Sequence, residues 1–251
     1  MISTDVYWLE QNEADLPAEL HWLSETEALR SNSFRFPKRR ADWRLGRWTA
    51  KRALAACLDL SSDLGSLAKI DIRSAPSGAP EVWILGQAAP VTISLSHRNG
   101  IAMCAVAPTG VRLGCDLETV EPRGDTFVAD YFTIKEQAIV QKTAAEQRPL
   151  LVSLLWSGKE SALKALQVGL RLDTNCVEVI PLHASPPTEQ DPHGPRSALP
   201  LAEIHDSWHV LQVFFRGVPT FSGWWRCADQ MVRTIVHAHR LDQAFQQTLR
   251  A

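Results

Sequence analysis

Residues 101–118 read IAMCAVAPTGVRLGCDLE. Two apolar runs, Ile101 to Ala107 and Val111 to Leu117, flank the turn-forming tripeptide Pro108-Thr109-Gly110. The pattern predicts two strands joined as a hairpin and lying as antiparallel neighbours. Upstream, Val82 to Leu85 and Val91 to Leu95 also read as strands, and downstream so do Trp208 to Phe215 and Val232 to Ala238. Helices are expected over Lys38 to Leu58, Thr133 to Glu146, and Leu150 to Val168 with Gly169 as C-terminal cap. This order of strands and helices indicates an α+β protein. Residues 181–200 hold six prolines and are expected to form an exposed loop or crossing. No repeat or low-complexity tract is visible.

The chain has 251 residues, 45% hydrophobic and 22% charged, enough for one large or two small globular units with a real core. Its start, MISTDVYWLEQNEADL, is neither basic nor apolar, and no later run approaches a membrane span, so a soluble, cytosolic protein is expected. Cysteines 57, 104, 115, 176 and 227 are odd in number and without CxxC spacing, which favours reduced thiols and argues against zinc.

Charge is uneven along the chain. Between Arg30 and Arg52 stand nine basic residues and one acid, Asp42. On a helix, Arg40, Arg44, Arg47 and Lys51, spaced by four, three and four residues, share a narrow face. A solvated face is the plainer reading, but four like charges at that spacing repel, which favours an anion site.

Three further places could carry chemistry. Side-chain alternation directs Asp116 and Glu118 to one face of their strand and Cys115 and Leu117 to the other. Two carboxylates pointing one way suit a hard cation, though D-x-E alone is equally a pair of surface acids. On the helix around Trp156, Leu151, Leu155, Ala162 and Leu166 form a core stripe, whereas Glu160 and Lys164 fall on the opposite side beside Ser153 and Ser157. Read alone, Glu160 and Lys164 are an exposed i,i+4 ion pair. His97, after Ser94-Leu95-Ser96, lies at a strand end before a turn, where a structural role and a phosphate contact are both open.

These segments together resemble the 4′-phosphopantetheinyl transferases of the larger, Sfp-like type. Ser94-Leu95-Ser96-His97 resembles the family's S-x-S-H segment, and Gly114-Cys115-Asp116-Leu117-Glu118 its G-x-D-x-E motif. Phe132-Thr133-Ile134-Lys135-Glu136 is similar to F-[ST]-x-x-E, and Trp156 to Lys164, WSGKESALK, to W-[STG]-x-K-E-[SA]-x-x-K. The resemblance runs from about Arg30 to Leu172. One departure stands out: where the family carries G-K-P, this chain has Gly78-Ala79-Pro80, so a coenzyme-binding lysine is missing and Arg73 or the Arg40/Arg44/Arg47 face is expected to replace it.

The resemblance implies two similar α+β halves related by a pseudo-twofold, about 1–110 and 111–251, with the active site between them. The first half would carry the basic coenzyme A-binding helix, and the second the metal-binding strand and the W-x-x-K-E helix. It implies transfer of phosphopantetheine from coenzyme A to a serine of an apo acyl or peptidyl carrier protein. Asp116, Glu118 and Glu160 would hold magnesium, or manganese. Glu160 would take the serine proton and Lys164 would stabilise the leaving 3′,5′-ADP. Arg40, Arg44, Arg47, Arg73, Ser96, His97, Lys159 and Lys164 would contact the coenzyme. A monomer with no nucleic-acid or membrane partner is expected. A non-catalytic coenzyme A or carrier-protein binding module and a magnesium phosphohydrolase are the rival readings.

Overall fold

The computed structural model describes residues 6–168, 171–181, 196–197 and 208–238. Gly169 and most of the proline-rich 181–200 stretch lie outside the described residues. The helices are α1 (Glu25–Asn32), α2 (Pro37–Cys57), α3 (Leu64–Leu67), α4 (Asp125–Tyr131), α5 (Ile134–Lys142) and α6 (Arg148–Leu166). The strands are β1 (Tyr7–Asn12), β2 (Ile70–Ser74), β3 (Pro80–Ile84), β4 (Gln87–Ala88), β5 (Val91–Arg98), β6 (Ile101–Pro108), β7 (Arg112–Thr119), β8 (Val177–Pro181), β9 (Arg196–Ser197), β10 (His209–Phe215), β11 (Val218–Ala228) and β12 (Met231–Ala238).

Helix and sheet are thus mixed, and the described strands lie in three sheets ordered β5-β6-β1-β9, β7-β12-β11-β10-β8 and β2-β3-β4. The long helix α2 covers one core, built with Leu9, Cys104 and Val106, and α6 covers a second with Val179, Val213 and Val236. A third core lies between the two large sheets, where Trp8, Met103 and Ala105 meet Leu113, Cys115, Leu117 and Ile235.

The expected hairpin does not form. β6 pairs with β5 and β1, whereas β7 pairs with β12, so Pro108-Thr109-Gly110 carries the chain from one sheet to the other. Both runs are buried on both faces, and burial alone does not say which partner supplies the backbone hydrogen bonds. β6 forms its tight hairpin with β5 instead, through Asn99-Gly100, both at positive φ. α6 ends at Leu166, with Gln167 in the left-handed conformation, two residues before the expected glycine cap. β1, β2, β4, β8, β9 and β11 were not anticipated.

Two buried clamps of the same design recur. At the start of α1, Glu27 closes a capping box with Ser24, accepts Ile72 N–H at 3.2 Å and binds the wholly buried Lys51 of α2 at 2.5 Å. At the start of α5, Glu136 closes one with Thr133, accepts Val179 N–H at 2.8 Å and binds the wholly buried Lys159 of α6 at 2.8 Å. Each lysine also donates to two carbonyls, Lys51 to Trp22 and Leu67, Lys159 to Thr174 and Val177. The helices match around them: Trp48-Thr49-Ala50-Lys51 against Trp156-Ser157-Gly158-Lys159. A short internal repeat therefore exists in the sequence after all.

Candidate active site

β7 and α6 build the centre of the site, and glycine sets their spacing. A Cβ on Gly114 would stand 1.7 Å from the Ser161 carbonyl oxygen of α6, so only glycine lets the strand and helix backbones approach this closely. Along α6, Ser153, Ser157 and Ser161 face the sheet, bonding the Thr119 carbonyl and Thr234. The side of α6 expected to be solvated is therefore buried against β7 and β12. Residues 114, 116 and 118 then face the helix, while Cys115 and Leu117 enter the core between the sheets.

Asp116 and Glu118 are not surface acids: they are 5% and 8% exposed. Asp116 Oδ1 accepts from Lys164 Nζ at 2.7 Å and from Ser96 Oγ at 2.9 Å, whereas Oδ2 is buried with no hydrogen-bond partner. Glu118 Oε1 accepts from the Trp156 indole at 3.1 Å, and Oε2 accepts from Arg123 at 2.9 Å, with Arg98 3.7 Å away. The Glu160 carboxylate bonds to no described residue. Lys164 does not pair with Glu160 as the helical spacing predicts, because the buried Asp116 offers a stronger partner.

Electrostatics follow from this crowding. Burial, and then the nearby Asp116 charge, push the Glu118 and Glu160 carboxyls above the usual range, against the pull of Arg123 on Glu118 and of Lys164 on Glu160. Burial alone would lower the Lys164 ammonium, but Asp116 leads the attractions that leave it raised. His97 stands exposed at the cleft, and its imidazole is lowered by partial desolvation.

The S-x-S segment stitches the two large sheets. Cys115 N–H donates to Ser94 Oγ at 2.9 Å and Leu117 N–H donates to Ser96 Oγ at 3.2 Å, satisfying amides of β7 that have no strand on that side among the described residues. Ser96 thus supports Asp116 and the strand.

Beside this centre runs a cleft of about 390 Å³, bordered by Arg47, Gly78, Ser96, His97 and Lys164 among others. It adjoins a second cavity of about 490 Å³ that shares Arg47, Ser74 and His97 and adds Arg30, Arg39 and Arg73. The basic face expected on α2 is divided. Arg47 reaches both cavities, whereas Arg40 donates to the Phe34 carbonyl, Arg44 donates to Ser31 Oγ, and Lys51 is wholly buried. Lys159 also lies outside the cleft, as a wholly buried ammonium engaged by Glu136 that has no surface to offer a coenzyme phosphate. Arg73 lines the second cavity, held by Asp71 at 2.7 Å and stacked on Trp83. Arg30, Arg39, Arg98 and Arg123 were not singled out from sequence. The nine-cation run contained the signal for the first two, and nothing local marks the others.

Among the described residues no three His, Cys, Asp or Glu side chains converge as a ready metal cage. Lys164 occupies one oxygen of Asp116, and Trp156 and Arg123 occupy the two oxygens of Glu118. The donor set still fits a hard divalent cation. It is all oxygen, with Asp116 and Glu118 buried and Glu160 half-buried, and it keeps an orphaned Asp116 Oδ2. No described helix is long and apolar enough to cross a membrane.

Residues 112–213 match the family model described as the 4′-phosphopantetheinyl transferase superfamily. This match, less than half of the chain, contains Asp116, Glu118, Glu160 and Lys164. Among solved structures, a holo-(acyl-carrier-protein) synthase from Bacillus anthracis in complex with CoA (3′,5′-ADP) is 19% identical, over 41% of this chain and 94% of that one, with a TM-score of 0.35. Helicobacter pylori holo-[acyl-carrier-protein] synthase in complex with coenzyme A is 17% identical, over 41% of this chain and 99% of that one, with a TM-score of 0.34. No curated protein matches the chain.

Proposed function

We propose that this protein transfers the 4′-phosphopantetheine group of coenzyme A to a serine of an apo acyl or peptidyl carrier protein, releasing 3′,5′-ADP. The observation that carries the reading is one constellation within the superfamily match: Asp116 bonded to Lys164, with the Asp116 charge felt by both Glu118 and Glu160, beside a cleft continued by arginines. A pyrophosphate ester needs that combination of charge neutralisation beside a proton acceptor.

Asp116, Glu118 and Glu160 would hold magnesium or manganese, which when bound neutralises charge on the pyrophosphate. Glu160 accepts the proton of the carrier serine as the hydroxyl oxygen attacks the pantetheine-bearing phosphorus. The P–O bond to the adenosine-side phosphate breaks, and Lys164, at the cleft wall, stabilises the departing charge. Arg30, Arg39, Arg47 and Arg73 grip the 3′-phosphate end, where planar guanidinium forks suit phosphate oxygens, and His97 donates from the junction of the cavities. They take the place of the absent lysine at Gly78-Ala79-Pro80.

The chain acts as a cytosolic monomer of the larger, Sfp-like type, with pseudo-twofold halves near 1–110 and 111–251. The duplicated glutamate–lysine clamps and the repeated Trp-Ser/Thr-small-Lys segment support that division. Where α6 has Glu160 after its buried lysine, α2 has Arg52, so one half is specialised for cations and the other for carboxylates. Intact-mass measurement of an apo carrier protein incubated with coenzyme A and magnesium tests the function. A gain of one phosphopantetheine is expected. Hydrolysis of coenzyme A without transfer would replace this reading with a phosphohydrolase, and no change with a binding module.

A further inference from the structure

The two oxygens of Asp116 differ in a way the transfer reaction alone does not require. Oδ1 holds both Lys164, at 2.7 Å, and Ser96, at 2.9 Å, while Oδ2 is equally enclosed and has no partner. Lys164 also donates to the Cys115 carbonyl at 3.0 Å. Its side chain is nonetheless 29% exposed and borders the 390 Å³ cleft, unlike Lys51 and Lys159, which are wholly enclosed. Lys164 thus has an anchored position and open space beside it.

We propose that Lys164 is a stand-in counter-ion, which holds Asp116 while no metal is bound and swings into the cleft when a divalent cation takes that carboxylate. An ammonium and a divalent ion a few ångström apart on one carboxylate repel each other, which favours exchange of the one for the other. The freed ammonium is then delivered to the cleft only in the metal-loaded protein, which couples metal binding to coenzyme binding. This rests on the proposed function for the identity of the cleft's ligand, but not for the exchange itself.

The experiment needs no coenzyme. In protein carrying 15N-lysine, ammonium resonances of Lys51, Lys159 and Lys164 are followed through a magnesium titration, with Lys164→Met or Lys164→Arg giving the assignment. Magnesium should shift or broaden away the Lys164 signal alone, with Lys51 and Lys159 as unmoved internal controls. Manganese binding, read by electron paramagnetic resonance, should tighten about tenfold in Lys164→Met, since one charge-assisted hydrogen bond no longer has to be broken. It should stay near wild type in Lys164→Arg. A Lys164 signal unmoved at saturating magnesium, equal manganese affinity in Lys164→Met, or no metal binding at all would each overturn the exchange. Should Lys164→Met fail to fold, the wild-type resonances still decide. The carrier-protein mass assay on the wild type separately reports whether transfer occurs.

Discussion

Gly114→Ala is the most searching single substitution, because it adds one methyl group to the tightest contact supporting the site. The new Cβ would lie 1.7 Å from the Ser161 carbonyl oxygen, with Ala165 N 2.9 Å away. Ordinary carbon–oxygen contacts lie at about 3.3–3.6 Å, so β7 and α6 must part by about 1.6 Å, and both neighbours are backbone that cannot rotate away. Overpacking of this kind costs about 1–3 kcal/mol or more. For a chain of this size each kcal/mol lowers Tm by about 2–4 °C. The same displacement would stretch the 2.7 Å Lys164–Asp116 contact beyond hydrogen-bonding range and move Glu160 relative to Glu118. A shift of about 1 Å at reacting groups can cost about a hundredfold in rate, and that is the expected fall in kcat/KM. The control is Gly158→Ala on the same helix, whose Cβ would meet the Val179 Cγ1 methyl at 2.8 Å, away from the carboxylates. It should lower Tm yet keep the rate within a few fold. Calorimetry and the carrier-protein mass assay measure both quantities. A Gly114→Ala protein with wild-type Tm and turnover would refute the claim that this contact sets the site.

Lys164→Ala should reduce kcat and kcat/KM together by about a hundredfold, because the ammonium acts mainly in the transition state; a rate within twofold of wild type contradicts its role. Glu160→Gln should abolish most activity yet stabilise the protein at neutral pH. Its folded-state pKa is raised, so the ionised carboxylate costs stability above the ordinary glutamate value of 4.5, and the advantage of the variant should vanish as pH falls below it. Thermal unfolding across pH 3 to 8 checks the sign. Arg47→Ala and Arg73→Ala should raise the KM for coenzyme A more than for its dephospho form, while Arg44→Ala, bonded to Ser31 outside both cavities, should affect neither. Glu136→Gln should destabilise by about 3–5 kcal/mol in denaturant titrations, because Lys159 is left charged and enclosed, and adding Lys159→Met should recover part of the loss.

Sequence and tertiary structure divide the credit along a physical line. Local chemistry was legible in the sequence: strand alternation put Asp116 and Glu118 on one face, and the 3.6-residue period placed Glu160 and Lys164 one turn apart on α6. The mixed α+β class followed from the order of such segments. The chain order also marked the basic run, because charge composition is visible without folding. What periodicity cannot report is who stands opposite. An apolar strand buried on both faces fits several partners, so β7 was assigned to β6 when it pairs with β12. Lysine on a helix reads as solvated, yet Lys51 and Lys159 are enclosed by glutamates 24 and 23 residues earlier in the chain. Lys164 reads as the partner of Glu160, yet it binds Asp116, 48 residues away. These choices depend on distances set by close backbone packing at Gly114 and on the cost of leaving a buried charge uncompensated, and both arise only once the chain has folded.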